Sequence, residues 1–254
     1  MIGLMFMIGL VSGIITGLLS VGGGIILIFF LIMFPPLLMQ THFTMQTIAG
    51  FSIMQAFFAT LSGSLYYLRE KLINLPVVVS LGVPSFFGGM VGVVLAHSIT
   101  DEALRWFFAV LAFLAALVMF IPYRHYENEE FQFSKLMYAV SIAFGIVIGI
   151  VGGMLGLSAG FLFVPLMVYL YRLNIKKAIG TSLIACLLLA SGSFLMKLTT
   201  EAFSLQAGIA LVIGGIIGAQ LGGRLGKKMP PLLLKRITAI TVLLISITVV
   251  VELF

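Results

Sequence analysis

The sequence predicts an all-α polytopic membrane protein with two homologous, inverted repeats, each holding one broken, re-entrant helix pair and three spanning helices. Hydrophobic residues make up 61% of the 254 residues and charged residues only 9%, whereas soluble domains carry about 25% charged residues. Uncharged stretches separate the few charges, and about 20 apolar residues span a bilayer as a helix. Related patterns also recur in the two halves of the chain, in the same order. The low content of charged residues excludes a water-soluble fold.

The predicted repeats occupy residues 1–122 and 136–254, and the polar cytoplasmic linker 123–135 joins them. The segment GIITGLLSVGGGIILI (13–28) lines up with GIVGGMLGLSAGFLFV (149–164), so that Gly13 lies opposite Gly149 and Gly24 opposite Gly160. The later matches keep this order: AGFSI (49–53) with IGTSL (179–183), Ser-Gly-Ser (62–64) with Ser-Gly-Ser (191–193), and GGMVG (88–92) with GGIIG (214–218).

Each repeat begins with an overlong apolar segment and continues with three of ordinary length. We predict segments at 3–33, 44–68, 75–97 and 104–122, and at 136–171, 177–196, 203–223 and 232–251. The overlong segments carry small-residue clusters at 20–24 and 156–160. Because glycine in a helix interior costs about 1 kcal/mol relative to alanine, each cluster predicts a helix, an irregular tip and a second, short helix.

The distribution of Lys and Arg indicates how these long segments lie in the membrane. If each turns back as a hairpin, twelve of the 14 basic residues share one side and only Arg105 and Lys197 lie on the other. A single crossing would divide them nine to five, which fits the positive-inside rule less well. Each half then crosses three times, and an odd number inverts the second half. A parallel arrangement with eight crossings is the alternative.

We expect the protein in the cell membrane (inner or plasma membrane). The N-terminal MIGLMFMIGL has no basic residue before its apolar run, which predicts a retained segment and not a cleaved signal. The partners we expect are membrane lipid and a small anionic substrate, with no nucleic acid, because the basic residues fall in short loops. A homodimer is left open.

The helix breaks are candidate anion sites, since a helix that starts inside the membrane presents unpaired amide groups and partial positive charge. The predicted substrate-binding residues are Ser20, Gly22, Gly23, Gly24, Gly50 and Ser52 in the first repeat, and Ser158, Ala159, Gly160, Gly180, Thr181 and Ser182 in the second. The alternative is that the glycines only allow close helix packing and that the hydroxyls bond to their own helices.

The predicted spans contain no Asp, Glu, Lys or Arg deep inside, and Lys197 and Arg224 are expected to snorkel from span ends. We therefore expect no carboxylate proton relay, no metal site and no cofactor. Gln55 and Gln220 are expected to hydrogen-bond between helices, with a ligand role as the alternative. The membrane potential, negative inside, drives a monoanion outward by about 2.3 kcal/mol per 100 mV, so export needs no coupling ion.

The segment GGMLGLSAGFLFVPLMVYLYRLNIKKAIGTSL (152–183) resembles the glycine-rich repeat of the sulfite exporter TauE/SafE family, as does SVGGGIILI in the first half. The family's closing pattern is similar to GAQLGGRLGKKMPPLLLKR (218–236). The resemblance implies a permease for sulfite, sulfoacetate, other sulfonates or small organic anions. It points to residues 22–24 in the first half and 158–160, 165 and 180–182 in the second. Departures from the motif, such as Phe51 in place of threonine, make the two halves chemically unequal.

Two other functions compete with a permease. An anion channel of the same architecture would use the same helix ends. An intramembrane enzyme would need Ser62 or Ser193 as nucleophile within hydrogen-bond reach of His97 as base. The Ser-Gly-Ser pattern occurs in both halves whereas the histidine does not, so we expect no enzyme.

Overall fold

The computed structural model describes residues 2–19, 24–39, 42–69, 71–120, 134–157, 159–200, 205–226, 240 and 242–249. These residues form helices and short connections, with no strand among them. In chain order the helices are α1 (Ile2–Leu19), α2 (Gly24–Met39), α3 (Met45–Arg69), α4 (Leu75–Ala96), α5 (Asp101–Phe120), α6 (Lys135–Leu155), α7 (Gly160–Tyr169), α8 (Ile175–Thr200), α9 (Leu205–Gly226) and α10 (242–249). The predicted segments coincide with these helices to within about four residues, except that α2 continues to Met39, beyond the predicted 33, and that only 242–249 of the last one is described.

Four of the described helices are long and apolar enough to cross a membrane: Leu75–Ala96, Lys135–Leu155, Lys176–Thr199 and Leu205–Gly222. Two shorter apolar helices, Ile2–Ile15 and Gly24–Leu38, lie in the first half. The all-helical membrane class predicted from composition is therefore confirmed.

The second overlong segment is interrupted where the sequence predicted a break. Helix α6 ends at Leu155, and Gly156 follows in the left-handed conformation with φ of 76°. The amide of Leu157 bonds the Gly152 carbonyl at 2.8 Å, which closes the helix as in a Schellman motif. Helix α7 then begins at Gly160. In the first half, α1 is described to Leu19 and α2 from Gly24, and 20–23 lie outside the described residues.

Polar contacts define two opposite ends of the bundle. At one end, which we call the Asp101 face, the Met45 amide bonds Asp101 and the Lys197 ammonium donates to the Gln46 carbonyl at 2.9 Å. At the other end, the Lys71 face, the Asn74 amide donates to the Thr181 hydroxyl at 3.0 Å. Helix α3 therefore runs from the Asp101 face to the Lys71 face, and α8 runs the opposite way.

Glycine contacts give the directions of α1 and α9. A methyl group built on Gly9 would lie 2.1 Å from the Leu211 carbonyl oxygen, and one on Gly13 would lie 2.4 Å from that of Gly215. Residue numbers rise together along both helices, so α1 and α9 are parallel. Since α9 follows the end of α8, both run from the Asp101 face toward the Lys71 face.

Helices α4 and α6 form a second parallel pair. A methyl group on Gly149 would lie 2.6 Å from the Ser85 carbonyl oxygen, and one on Gly153 would lie 2.2 Å from that of Gly89. Because α4 begins just after Asn74, both helices run from the Lys71 face toward the Asp101 face. This is opposite to the direction of α1 and α9.

The helices after the two breaks return to the faces from which their hairpins start. Helix α2 ends shortly before Phe43, whose carbonyl accepts from Arg105 at the Asp101 face. Helix α7 ends just before Tyr171, whose hydroxyl bonds Ser141 near the start of α6, at the Lys71 face. Hence α1 and α2 are antiparallel, as are α6 and α7.

Candidate functional site

Helix α2 begins in the protein interior, next to an unsatisfied hydroxyl group. Its first residue, Gly24, is buried, and a methyl group there would lie 3.3 Å from the Oγ atom of Ser52 on α3. Ser52 is 1% exposed, and its Oγ has no hydrogen-bond partner among the described residues. Buried hydroxyl groups are normally paired, so the start of α2 and this hydroxyl form a place where a ligand oxygen can be bound.

The break between α6 and α7 supplies a second helix start. Ala159 caps α7 in the left-handed conformation, with φ of 51°, which is uncommon for a residue with a side chain. Its carbonyl accepts from the amides of Leu162 and Phe163 at 2.9 and 3.1 Å. The first amides of α7 precede these bonds and have no partner within the helix.

The start of α2 and the break between α6 and α7 lie close to each other and to the first turns of α3. The Leu157 side chain comes within 3.1 Å of a methyl group built on Gly24. A methyl group on Gly156 would lie 2.4 Å from the Cα atom of Ala49 on α3. Gly24 and Ser52 therefore lie next to the break between α6 and α7. The buried candidate Gly50 lies on the same stretch of α3.

The candidate hydroxyls on α8 already have partners in the protein. Thr181 is fully buried and accepts the Asn74 amide, which holds the start of α4. The Ser182 hydroxyl donates to the Ile179 carbonyl of its own helix at 2.8 Å, the local bond that Ser commonly makes in membrane helices. Gly180 is buried beside them. The contacts of Thr181 and Ser182 thus do not lead to Gly24 and Ser52.

Four of the predicted residues, Ser20, Gly22, Gly23 and Ser158, lie outside the described residues. Ala159 and Gly160 are the N-cap and first residue of α7. Of the twelve predicted residues, the described contacts bring Gly24 and Ser52 into direct proximity.

A network of polar bonds surrounds the start of α3 at the Asp101 face. Asp101 accepts the Met45 amide and pairs with the Arg105 Nε at 2.8 Å. The Gln46 carbonyl accepts from Lys197, which is 0% exposed. The expectation that Lys197 snorkels out of a span end is therefore wrong. Its ammonium instead turns inward to a carbonyl on a neighbouring helix, and this hydrogen bond offsets part of the cost of burying the charge.

Several residues around the helix starts had little in the sequence to mark them as part of the site. Ala49 and Leu157 are ordinary apolar residues, and only the fold brings them to the breaks. Gln55 stood out as an amide in an apolar run, yet its Oε1 has no hydrogen-bond partner in the described part of the chain. Gln220, the other glutamine within a predicted span, is exposed on α9.

Ser193 and His97, which an enzyme would need as nucleophile and base, are not brought together in the structure. The Ser193 Oγ is buried and lies 2.5 Å from a methyl group built on Gly89, again with no bond to another described residue. His97 is exposed directly after the end of α4, eight residues beyond Gly89, and its Nδ1 bonds the Val93 carbonyl at 3.2 Å. The residues that the structure describes also contain no group of three or more His, Cys, Asp or Glu arranged for a metal ion.

The chain matches the family model "Sulfite exporter TauE/SafE" over residues 4–249. The chain belongs to this family. Its similarity to YunE of Bacillus subtilis, a probable membrane transporter protein, is 24% identity over 98% of this chain and 97% of that protein. YdhB of the same organism, described likewise, is 26% identical over 91% of this chain and 93% of its own length. YfcA of Escherichia coli K12 is 22% identical over 89% of this chain and 80% of its own. No solved structure matches.

The TauE/SafE family membership agrees with the resemblance noted in the sequence. The protein is a membrane transporter and not an enzyme, as its family and relatives indicate.

Proposed function

We propose that this TauE/SafE transporter is a carrier that exports small sulfur-containing anions, such as sulfite, sulfoacetate or other organosulfonates, across the plasma membrane. The anion binds where α2 and α7 begin inside the bilayer. Ser52 is the observation that carries the proposal: its hydroxyl is buried, lacks a partner among the described residues and adjoins Gly24 at the start of α2. Helix N-termini and hydroxyls are sufficient to bind an anion without a fixed charge.

The proposal includes an inverted repeat. The first helix of each half pairs with the fourth helix of the other half: α1 with α9, and α6 with α4. The two pairs use the same glycine spacing, with Gly13 on Gly215 in one and Gly153 on Gly89 in the other. This correspondence differs by one helical turn from the motif alignment, which matches Gly13 with Gly149. The opposite directions of the two pairs support inversion, and inverted repeats with broken helices are typical of secondary transporters.

The Lys71 face is assigned to the cytoplasm. Among the described basic residues, seven lie toward this face: Arg69, Lys71, Lys135, Arg172, Lys176, Lys177 and Arg224. Arg105 and Lys197 lie toward the Asp101 face. This asymmetry follows the positive-inside rule, and the membrane potential then drives a monoanion from the Lys71 face to the Asp101 face.

The test is counterflow in proteoliposomes, with labelled sulfite taken up against unlabelled sulfite, sulfoacetate, sulfate or a short carboxylate inside. The membrane potential is clamped at zero with equal potassium on both sides and valinomycin. Under this condition a carrier exchanges anions across the bilayer and shows transient accumulation of label, whereas a channel only dissipates the gradient. Uptake that requires an imposed proton or sodium gradient would contradict uncoupled export.

Replacement of Gly24 tests the place of binding. The Gly24→Val side chain would project into the space beside the Ser52 hydroxyl, so we expect counterflow to be abolished. Gly3→Val is the matched control on α1, since nothing lies within 4 Å of a methyl group at Gly3. Full counterflow by Gly24→Val would contradict a site at the start of α2.

A further inference from the structure

A second unsatisfied polar atom lies one helical turn beyond Ser52. Gln55 follows Ser52 by three residues on α3, and residues three apart are neighbours on one helix face. The Gln55 Oε1 atom is buried and has no hydrogen-bond partner among the described residues. Native structures rarely leave a buried acceptor unpaired unless a water, an ion or a ligand completes it.

Gly215, which lies opposite Gln55, keeps the Gln55 side chain in place. A methyl group built on Gly215 of α9 would lie 2.2 Å from Nε2, 2.8 Å from Cδ and 3.1 Å from Cγ of Gln55. The amide therefore packs against bare backbone, with Nε2 as its nearest atom and Oε1 at its other edge. Any larger residue at Gly215 would displace the amide.

The two unsatisfied atoms have different chemistry. A serine hydroxyl can donate to an anion oxygen, as can the amides at the start of α2. An amide oxygen such as Gln55 Oε1 can only accept. A ligand that satisfies both must present a negatively charged oxygen to Ser52 and a hydrogen-bond donor to Gln55.

We propose that Gln55 is a specificity-determining residue of the anion site and that the preferred substrate is a monoanion that also carries a hydrogen-bond donor, such as a hydroxyl group or a protonated oxyanion oxygen. This inference rests on the proposed function. The Cβ atoms of residues three apart are separated by about 5–6 Å, so one small molecule reaches both side chains.

The test compares two sulfonates of equal size: 2-hydroxyethanesulfonate, which ends in a hydroxyl, and propane-1-sulfonate, which ends in a methyl. Their binding to the purified full-length protein is measured by titration calorimetry. One hydrogen bond to a buried acceptor corresponds to about a tenfold difference in affinity. We expect the wild type to bind the hydroxyl compound about tenfold more tightly.

The Gln55→Met variant has a side chain of similar length without the amide. It is expected to bind both sulfonates equally, with the affinity that the wild type has for propane-1-sulfonate. Gln220→Met is the matched control, because this glutamine is exposed on α9, and it should keep the wild-type preference.

Equal binding of the two sulfonates by the wild type, or a preference that folded Gln55→Met retains, would overturn the inference. The comparison of the two sulfonates on the wild type tests the preference for a hydrogen-bond donor even if the variant fails to fold. The proposed function survives such a failure as long as sulfite or either sulfonate binds the wild type. If none of the three anions binds, the proposed function fails together with the inference.

Discussion

The contact between Gly13 and Gly215 predicts a measurable loss of stability in Gly13→Ala. The new methyl group would lie 2.4 Å from the Gly215 carbonyl oxygen and 2.9 Å from its Cα atom. Carbon–oxygen contacts normally lie at about 3.3–3.6 Å, so the helices must separate by about 1 Å. The atoms in the way belong to the backbone, and no change of rotamer relieves the overlap.

The expected magnitude follows from two opposing effects. Overpacking costs about 1–3 kcal/mol, and a rigid backbone contact belongs at the upper end. Replacing a glycine within a helix by alanine returns about 1 kcal/mol. The net destabilisation is about 2 kcal/mol, which lowers Tm by about 4–8 °C in a chain of this size.

The single cysteine of the chain makes the assay simple. Cys186 is 3% exposed, so a fluorogenic maleimide reacts with it only as the detergent-purified protein unfolds. Gly3→Ala on the same helix is the control and should leave Tm unchanged or slightly raised. Equal stability of Gly13→Ala and Gly3→Ala would contradict a tight backbone contact between Gly13 and Gly215.

Three further predictions address the ends of the bundle. Asp101→Ala removes the acceptor of the Met45 amide. A lost helix-end bond costs about 1–2 kcal/mol and should lower Tm by about 2–8 °C, whereas the exposed neighbour Glu102 can become Ala with little effect. Equal Tm values of the two variants would contradict the role of Asp101. Thr181→Val removes the acceptor of the Asn74 amide at the start of α4 and should reduce Tm without weakening anion binding. Thr181→Ser should keep both the wild-type Tm and the wild-type anion binding. A loss of anion binding without a loss of Tm in Thr181→Val would make Thr181 a ligand. A third test replaces the native cysteine and introduces single cysteines at 71 and at 100. Impermeant maleimide should label these two positions from opposite sides of the membrane. Labelling of both positions from the same side would contradict the helix directions.

The limits of the helices could be predicted from the sequence because they depend on local properties. Long uncharged runs define the spans, and the glycine cluster at 156–160 breaks α6 from α7 since glycine disfavours a helix interior. The pairing of α1 with α9 had no such local signal. It depends on which glycine faces which backbone, for example Gly9 on Leu211.

The candidate site was only partly predictable for the same reason. Ser52 and Ser182 occupy matching places in AGFSI and IGTSL, and local sequence does not distinguish them. In the fold, Ser182 bonds the preceding turn of α8 whereas Ser52 has no described partner. The burial of Lys197 depends on Gln46, 151 residues away in sequence. The position of Lys197 near a helix end had instead predicted a side chain that reaches the membrane surface.

Ser52 is the proposed anion ligand, and the matched pair Ser52→Ala and Ser182→Ala shows whether its hydroxyl binds the anion. Sulfite binding to wild type and both variants is measured by titration calorimetry on folded protein. Loss of a hydroxyl that bonds a charged ligand costs about 1.5–3 kcal/mol, so Ser52→Ala should bind at least about tenfold more weakly, while Ser182→Ala keeps the wild-type affinity. Equal affinity of Ser52→Ala and wild type, or a selective loss in Ser182→Ala, would contradict the account.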